Sequence, residues 1–148
     1  YELVLHAQEE GIKATRPGAT LDEIHRLDVE IITRGLVELG LLKGEVKELI
    51  ESEGYKRFFM HRTSHWLGMD VHDVGAYFEG GKARALEPGM VLTVEPGIYI
   101  APDDETVAPE WRGIGVRIED DVLVTASAPE VLTAGIPKTV DEVVRACA

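Results

Sequence analysis

The stretch MVLTVEPGIYI, residues 90–100, decides how this sequence folds. It is an apolar run of the kind that forms strands, and the turn residues 87–89, Glu-Pro-Gly, lead into it. A second apolar stretch, residues 114–125, predicts a hairpin that turns near Asp120 and Asp121. Residues 56–60 predict a further short strand. The second half of the chain is therefore expected to form antiparallel strands.

The first third of the chain is predicted to be helical. Apolar residues recur at helical spacing through residues 1–14, and Arg-Pro-Gly at residues 16–18 breaks that helix. Thr20 is a good N-cap for a second helix, because Glu23 three residues later completes a capping box. This second helix is expected to stop at Gly40.

Two shorter helices are predicted over residues 45–51 and 139–146, the latter opened by Thr139 or Asp141. Residues 61–75 are rich in histidine, glycine and aspartate and lack periodicity, which predicts functional loops. Helices that come first and antiparallel strands that follow indicate an α+β domain, with helices packed on a mainly antiparallel sheet.

Composition narrows the classes of function. The 148 residues suit one globular domain, and the net charge of −12 argues against nucleic-acid binding. No apolar run approaches the ~20 residues that a membrane span requires, so no membrane partner is expected. The only cysteine, Cys147, cannot close an internal disulfide, which favours a reducing compartment such as the cytoplasm. Because residue 1 is tyrosine rather than methionine, we expect a processed or partial chain.

Two glutamates stand in stretches that otherwise look buried. Glu95 has apolar neighbours on both sides, and Glu119 shares a strand face with Arg117. A buried carboxylate needs a cation, a hydrogen-bond network or a metal as its partner. Two simpler interpretations remain open: Glu119 forms a structural ion pair with Arg117, or Glu95 lies on an edge strand whose outer face is wet, as Pro96 would allow.

Three of the five histidines lie within residues 61–75, namely His61, His65 and His72. One histidine with two carboxylates is an oxygen-rich ligand set that suits manganese, cobalt or iron better than structural zinc. The alternative is a loop whose histidines only cap turns. These residues on their own indicate a metal-assisted hydrolase as one candidate function.

Three stretches resemble a known family closely: SHWLGMDVHDVG (residues 64–75), LEPGMVLTVEPGIYI (86–100) and RGIGVRIEDD (112–121). In this order they resemble bacterial aminopeptidase P, of the pita-bread metallopeptidases. The resemblance implies the C-terminal half of a pita-bread fold with a curved sheet. It also implies hydrolysis of the N-terminal Xaa-Pro bond, so the expected partners are peptides with proline at position two.

The resemblance further implies a dinuclear Mn²⁺ site. His65 is similar to the single histidine ligand of the family. Glu95 is similar to a carboxylate ligand that also handles protons for the attacking water, and Glu119 to the carboxylate that bridges both metals. Arg117 resembles the arginine that organises the site beside the bridging glutamate.

Substrate contacts follow from the same resemblance. His61 and His72 resemble two histidines that contact substrate and help to stabilise the tetrahedral intermediate, and Trp66 is a candidate for the apolar wall of the pocket. The family usually has glycine where this chain has Arg62. We therefore expect Arg62 to narrow the substrate entrance or to reposition His61.

The family's other two metal ligands are aspartates on strands that would precede residue 1. Residues 1–148 are thus expected to be the C-terminal portion of the catalytic domain, without the upstream half and the N-terminal domain. Such a piece should be inactive alone, and its exposed sheet should favour a homo-oligomer. Two alternatives remain: a prolidase-like dipeptidase, and a pita-bread binding module without catalysis.

Overall fold

Two helices that pack against each other open the chain. The structure, a computed structural model, describes all of residues 1–148. Helix α1 spans Glu2–Ala14 and α2 spans Leu21–Glu38. The predicted capping box is confirmed, since Thr20 accepts from the Glu23 amide and the Glu23 side chain accepts from the Thr20 amide. Helix α2 ends two residues before Gly40, close to the predicted end.

The strand predicted over residues 56–60 is wrong. Helix α3 spans Val46–Glu51, and a 3₁₀ helix spans Gly54–Arg57. Tyr55, Phe58 and Phe59 are all buried in one apolar cluster. Their spacing places them on one side of a helical turn, whereas an extended strand would point Phe58 and Phe59 in opposite directions. Burial of three aromatic rings therefore decides against the strand.

The predicted hairpin over residues 114–125 is also wrong, because β5 and β6 do not pair with each other. Instead, β6 pairs antiparallel with β3 and β5 pairs antiparallel with β4. Asp120 is completely buried and binds Lys138, so it cannot lie at an exposed turn. The strands are β1 (Phe78–Glu79), β2 (Lys82–Ala83), β3 (Val91–Val94), β4 (Gly97–Tyr99), β5 (Gly115–Arg117), β6 (Asp120–Leu123) and β7 (Glu130–Val131).

The four central strands form one long ribbon that is interrupted in the middle. Val94 pairs with Asp120 and Gly97 pairs with Arg117, so two residues on each side separate the paired segments. Continuing this register places Glu95 across from Glu119. Between the paired segments stands Pro96, which has no N–H to donate to the ladder. The apolar run at residues 90–100 is therefore two strands, and the break between them carries both glutamates.

Two apolar clusters support this ribbon. The larger joins α1 and α2 to the buried aromatic side chains, and the smaller joins α2 to Trp66 and strands β3 and β6. A short helix, α4 (Val140–Ala146), ends the chain with the predicted N-cap at Thr139 and has no buried residue. None of the helices combines the length and apolar character that a bilayer crossing requires.

Candidate metal centre

Three side chains from distant parts of the chain converge at the break in the ribbon. His65 comes from the loop that precedes β1, Glu95 follows β3, and Glu119 precedes β6. One potential ligand atom from each lies within 4.8 Å of the others. The structure thus brings together the three residues that the sequence predicted as metal ligands, and these residues lie 30 and 24 positions apart.

Backbone contacts orient His65. Its Nδ1 lies 2.9 Å from the carbonyl oxygen of Trp66, which can only accept, so Nδ1 carries the proton. The Nε2 lone pair then points toward Glu95, whose Oε1 lies 3.0 Å away. Two lone pairs at that distance need a proton or a cation between them. This arrangement, with the second ring nitrogen bound to a protein acceptor, is typical of histidines that bind metals.

Glu95 is buried, with 8% of its surface exposed, so the interpretation as a wet edge strand is wrong. The Thr93 hydroxyl donates to Oε1 of Glu95 at 3.0 Å, and Arg117 Nε lies 3.7 Å from Oε2. The amide of Glu95 donates to the Thr63 carbonyl at 2.8 Å, which anchors the break in the ribbon to the loop that carries His61 and His65. The carboxylate is thus held by partners on both of its oxygens.

Glu119 is more exposed than the other two residues and is short of positive partners. Burial raises the pKa of the Glu119 carboxyl, and the negative charges of Glu95 and Asp121 raise it further. Arg117 forms its ion pair with Glu95 rather than with Glu119, so the simple structural ion pair is not observed. Two crowded carboxylates beside the Nε2 of His65 form a donor set that fits a divalent cation.

A chain of hydrogen bonds links the metal centre to His61. Arg117 Nε donates to the Tyr99 hydroxyl at 2.6 Å, and that hydroxyl lies 2.9 Å from His61 Nε2. The Nδ1 of His61 donates to the Arg62 carbonyl at 2.8 Å, so Nε2 accepts from Tyr99. Gly97 makes room for this arrangement, because a β-carbon there would lie 2.6 Å from the Tyr99 hydroxyl.

An open cavity of about 690 Å³ lies over His65 and Glu95. The ring of His72 packs edge-on against His65, with 4.4 Å between ring centres.

Trp66 does not line this cavity, contrary to the sequence-based assignment, because its ring is buried in the smaller apolar cluster. The lining consists of Leu21, Asp22, His61, Arg62, Ser64, His65, His72, Tyr77, Phe78, Ala83, Glu95 and Arg117. Tyr77 and Phe78 thus take the place predicted for Trp66.

Thr93, Tyr99 and Tyr77 belong to the site but were missed from the sequence. A signal for two of them was present, since Thr93 and Tyr99 lie an even number of residues from Glu95 and so share its side of an extended chain. No pattern pointed to Tyr77, whose hydroxyl accepts from the Trp66 amide at 3.4 Å.

Comparison with known proteins agrees with this geometry. The sequence model of the family described as metallopeptidase family M24 matches residues 1–126. The chain belongs to metallopeptidase family M24. It is 52% identical to the Xaa-Pro aminopeptidase of Escherichia coli over 97% of its own length, and 39% identical to human Xaa-Pro aminopeptidase 3 over 99%.

Solved structures show the same similarity. The chain superposes on Pseudomonas aeruginosa aminopeptidase PepP with a TM-score of 0.95 at 61% identity, covering 99% of this M24 chain and 34% of PepP. For E. coli aminopeptidase P with the inhibitor Pro-Leu, the TM-score is 0.91 at 52% identity, covering 97% of this chain and 32% of that one. The predicted fold class, α+β and part of a pita-bread fold, is confirmed.

The chain spans about a third of the length of these relatives: 32% of the E. coli protein and 28% of the human one.

Proposed function

We propose that this M24 chain provides part of the active site of a Xaa-Pro aminopeptidase, which hydrolyses peptides with proline at position two. The supporting observation is the convergence of His65, Glu95 and Glu119, whose ligand atoms lie within 4.8 Å of one another. The curated relatives named Xaa-Pro aminopeptidase resemble the chain over nearly all of its length. A family member used only for binding would not require this convergence.

The proposed cofactor is a pair of Mn²⁺ ions held by His65, Glu95 and Glu119. Carboxylate-rich sets with one imidazole suit manganese. When bound, such ions lower the pKa of a water and polarise the scissile carbonyl. Two further carboxylate ligands are proposed to come from residues outside 1–148, so the activity belongs to a longer polypeptide and the isolated chain is inactive.

Each residue of the candidate site has a defined task in this proposal. Glu95 accepts a proton from the attacking water, and its contacts with Thr93 and Arg117 fix the direction of its two oxygens. His61 is oriented by Tyr99 and contacts the substrate at the wall of the cavity, while His72 contacts it from its position beside His65. Tyr77 and Phe78 provide apolar surface for the proline ring.

The cytoplasmic location and the homo-oligomeric state predicted from the sequence remain predictions.

Peptide hydrolysis by the complete polypeptide that includes residues 1–148 tests this function. With Mn²⁺ present, we expect cleavage of Ala-Pro-Ala but not of Ala-Ala-Ala, and slower cleavage of the dipeptide Ala-Pro.

The variant Glu119→Gln should reduce kcat/KM for Ala-Pro-Ala by more than roughly 10–100-fold, which is the cost of losing only the hydrogen-bond partner of a ligand. The control Glu51→Gln changes an exposed helical glutamate paired only with Lys47 and should have no effect. Equal activity of Glu119→Gln and the unchanged protein would contradict the proposal, and preference for the dipeptide would favour a prolidase.

A further inference from the structure

A second cavity, of about 510 Å³, adjoins the one over the metal centre. The two cavities share a wall of four residues: Asp22, His61, Arg62 and Ala83. A ligand that extends from the metal centre past His61 therefore reaches the second cavity.

Arg62 lies on this shared wall with most of its hydrogen-bonding capacity unused. Its Nη2 forms an ion pair with Asp22, and its side chain remains 56% exposed. Asp22 is the only acceptor in the protein for the Arg62 side chain. A guanidinium group has five N–H donors, so several N–H groups of Arg62 have no acceptor in the protein.

The second cavity is locally cationic, although the whole chain carries a net charge of −12. Arg26, Lys56 and Arg62 line it together with only two carboxylates, Asp22 and Glu53. Lys56 is neutralised by Glu53 at 2.7 Å, and Arg26 donates only to the backbone carbonyl of Asp22 at 3.3 Å.

His25, in the same cavity, adds no charge. Burial lowers the pKa of this histidine to about 4, with a further contribution from Arg62, so it is neutral near pH 7. The second cavity therefore carries one excess positive charge, because its three cationic side chains face two carboxylates, and Arg26 is the cation without a carboxylate partner.

The proposed function determines which part of a substrate can reach this cavity. An aminopeptidase cleaves after the first residue, so only the segment that follows the scissile bond can extend away from the metal centre. The alternative orientation would place the substrate ammonium group against Arg62, where like charges repel. An anionic group on the downstream segment matches the cavity instead.

We propose that Arg62 is a specificity-determining residue that binds a carboxylate on the substrate segment following proline, in the cavity formed with Arg26 and Lys56. This inference rests on the proposed function. The carboxylate can be the C-terminus of a short peptide or an acidic side chain, because both present the same planar pair of oxygens to a guanidinium.

Matched peptides with and without the charge test the proposal in the complete Mn²⁺-loaded polypeptide. We expect Ala-Pro-Ala to be favoured over its amide, or Ala-Pro-Ala-Glu-amide over Ala-Pro-Ala-Gln-amide, by about 2–5-fold in KM, the modest effect typical of an exposed ion pair. A preference in the first comparison identifies the C-terminal carboxylate as the source, and one in the second identifies the side chain. Arg62→Gln should abolish the preference by raising the KM of the charged peptide to that of the neutral one, and Asp22→Asn should increase the preference by freeing the guanidinium.

The control Arg34→Gln removes the same charge from the exposed side of α2, where Arg34 pairs with Glu30. It should retain the preference. Calorimetry with the same peptides separates this inference from the proposed function, because it measures binding without turnover. Tighter binding of the charged peptides that disappears in Arg62→Gln supports the role of Arg62 even in a polypeptide that cleaves no Xaa-Pro bond. Equal KM and equal affinity for charged and neutral peptides, or a preference that persists in Arg62→Gln, overturns it.

Discussion

Asp28 is a buried acid on α2, close to Gly11 of α1. The side chain of Asp28 is completely buried, and neither of its carboxyl oxygens has a hydrogen-bond partner. A β-carbon on Gly11 would lie only 3.2 Å from both oxygens, which shows how closely α1 covers the group. Burial raises the pKa of Asp28 to about 8, and the nearby Thr63 offsets only part of this rise.

The raised pKa links Asp28 to stability in a defined direction. The unfolded side chain ionises near pH 3.8, while the folded one keeps its proton up to about pH 8. Between these values the unfolded state binds fewer protons, so the free energy of unfolding decreases as pH rises, and it levels off above about pH 8.

We predict that Asp28→Asn is more stable than the unchanged chain at pH 8, by about 2–4 kcal/mol, and that the difference shrinks toward pH 4. Urea unfolding across this pH range measures the effect. The exposed Asp103→Asn is the matched control and should leave the pH dependence unchanged. An Asp28→Asn variant with the same pH slope as the unchanged chain would contradict this account of the buried carboxyl.

Tyr99 connects Arg117 to His61 through a single hydroxyl. We predict that Tyr99→Phe lowers kcat/KM of the complete polypeptide by roughly 10-fold, while its bound manganese stays the same, because the hydroxyl positions His61 and touches no ligand. Kinetics together with elemental analysis check both parts. Tyr1→Phe removes a hydroxyl that binds only the Lys138 carbonyl and is the control. Loss of metal in Tyr99→Phe would show that the hydroxyl supports the ligands instead.

At the scale of elements, the same capping box opens two helices with different packing. Thr20 caps α2, which buries eight residues, and Thr139 caps α4, which buries none. We predict that Thr20→Ala lowers the global free energy of unfolding by about 1 kcal/mol, and that Thr139→Ala only increases fraying of α4. Chemical unfolding and amide hydrogen exchange distinguish the two effects. Equal global destabilisation would show that α4 contributes to the cooperative core.

The sequence predicted features that depend on neighbouring residues, such as the capping box at Thr20 and the interruption at residues 16–18. It failed where distant contacts decide. The helical turn at Tyr55 follows from aromatic packing against α1 and α2. Strand β6 pairs with β3 because Asp120 is drawn inward by Lys138 and Gln8.

The convergence of His65, Glu95 and Glu119 was predicted through the family resemblance, since residues that far apart form no local pattern. Tyr77 was missed for the same reason.

At the scale of the whole molecule, apolar side chains are exposed on one segment near the cavity. Met69 is fully exposed, Val74 is 89% exposed and Phe78 is 59% exposed. We predict that the isolated 148-residue chain self-associates at concentrations of tens of micromolar or more, because exposed apolar patches favour association. Sedimentation velocity measures the state. The triple variant Met69→Ser, Val74→Ser, Phe78→Ser should shift the chain toward monomer. If the unchanged chain is a monomer at every concentration, the prediction is contradicted.

The central claim is that His65, Glu95 and Glu119 bind a divalent metal. Paramagnetic broadening by Mn²⁺ in NMR spectra of the 148-residue chain tests it most directly, because even weak binding broadens signals near the ion. The account predicts that substoichiometric Mn²⁺ first broadens the His65 ring and the signals of residues 95 and 119, and that His65→Ala removes this effect. Broadening that begins at other carboxylates and is unchanged in His65→Ala would contradict the account.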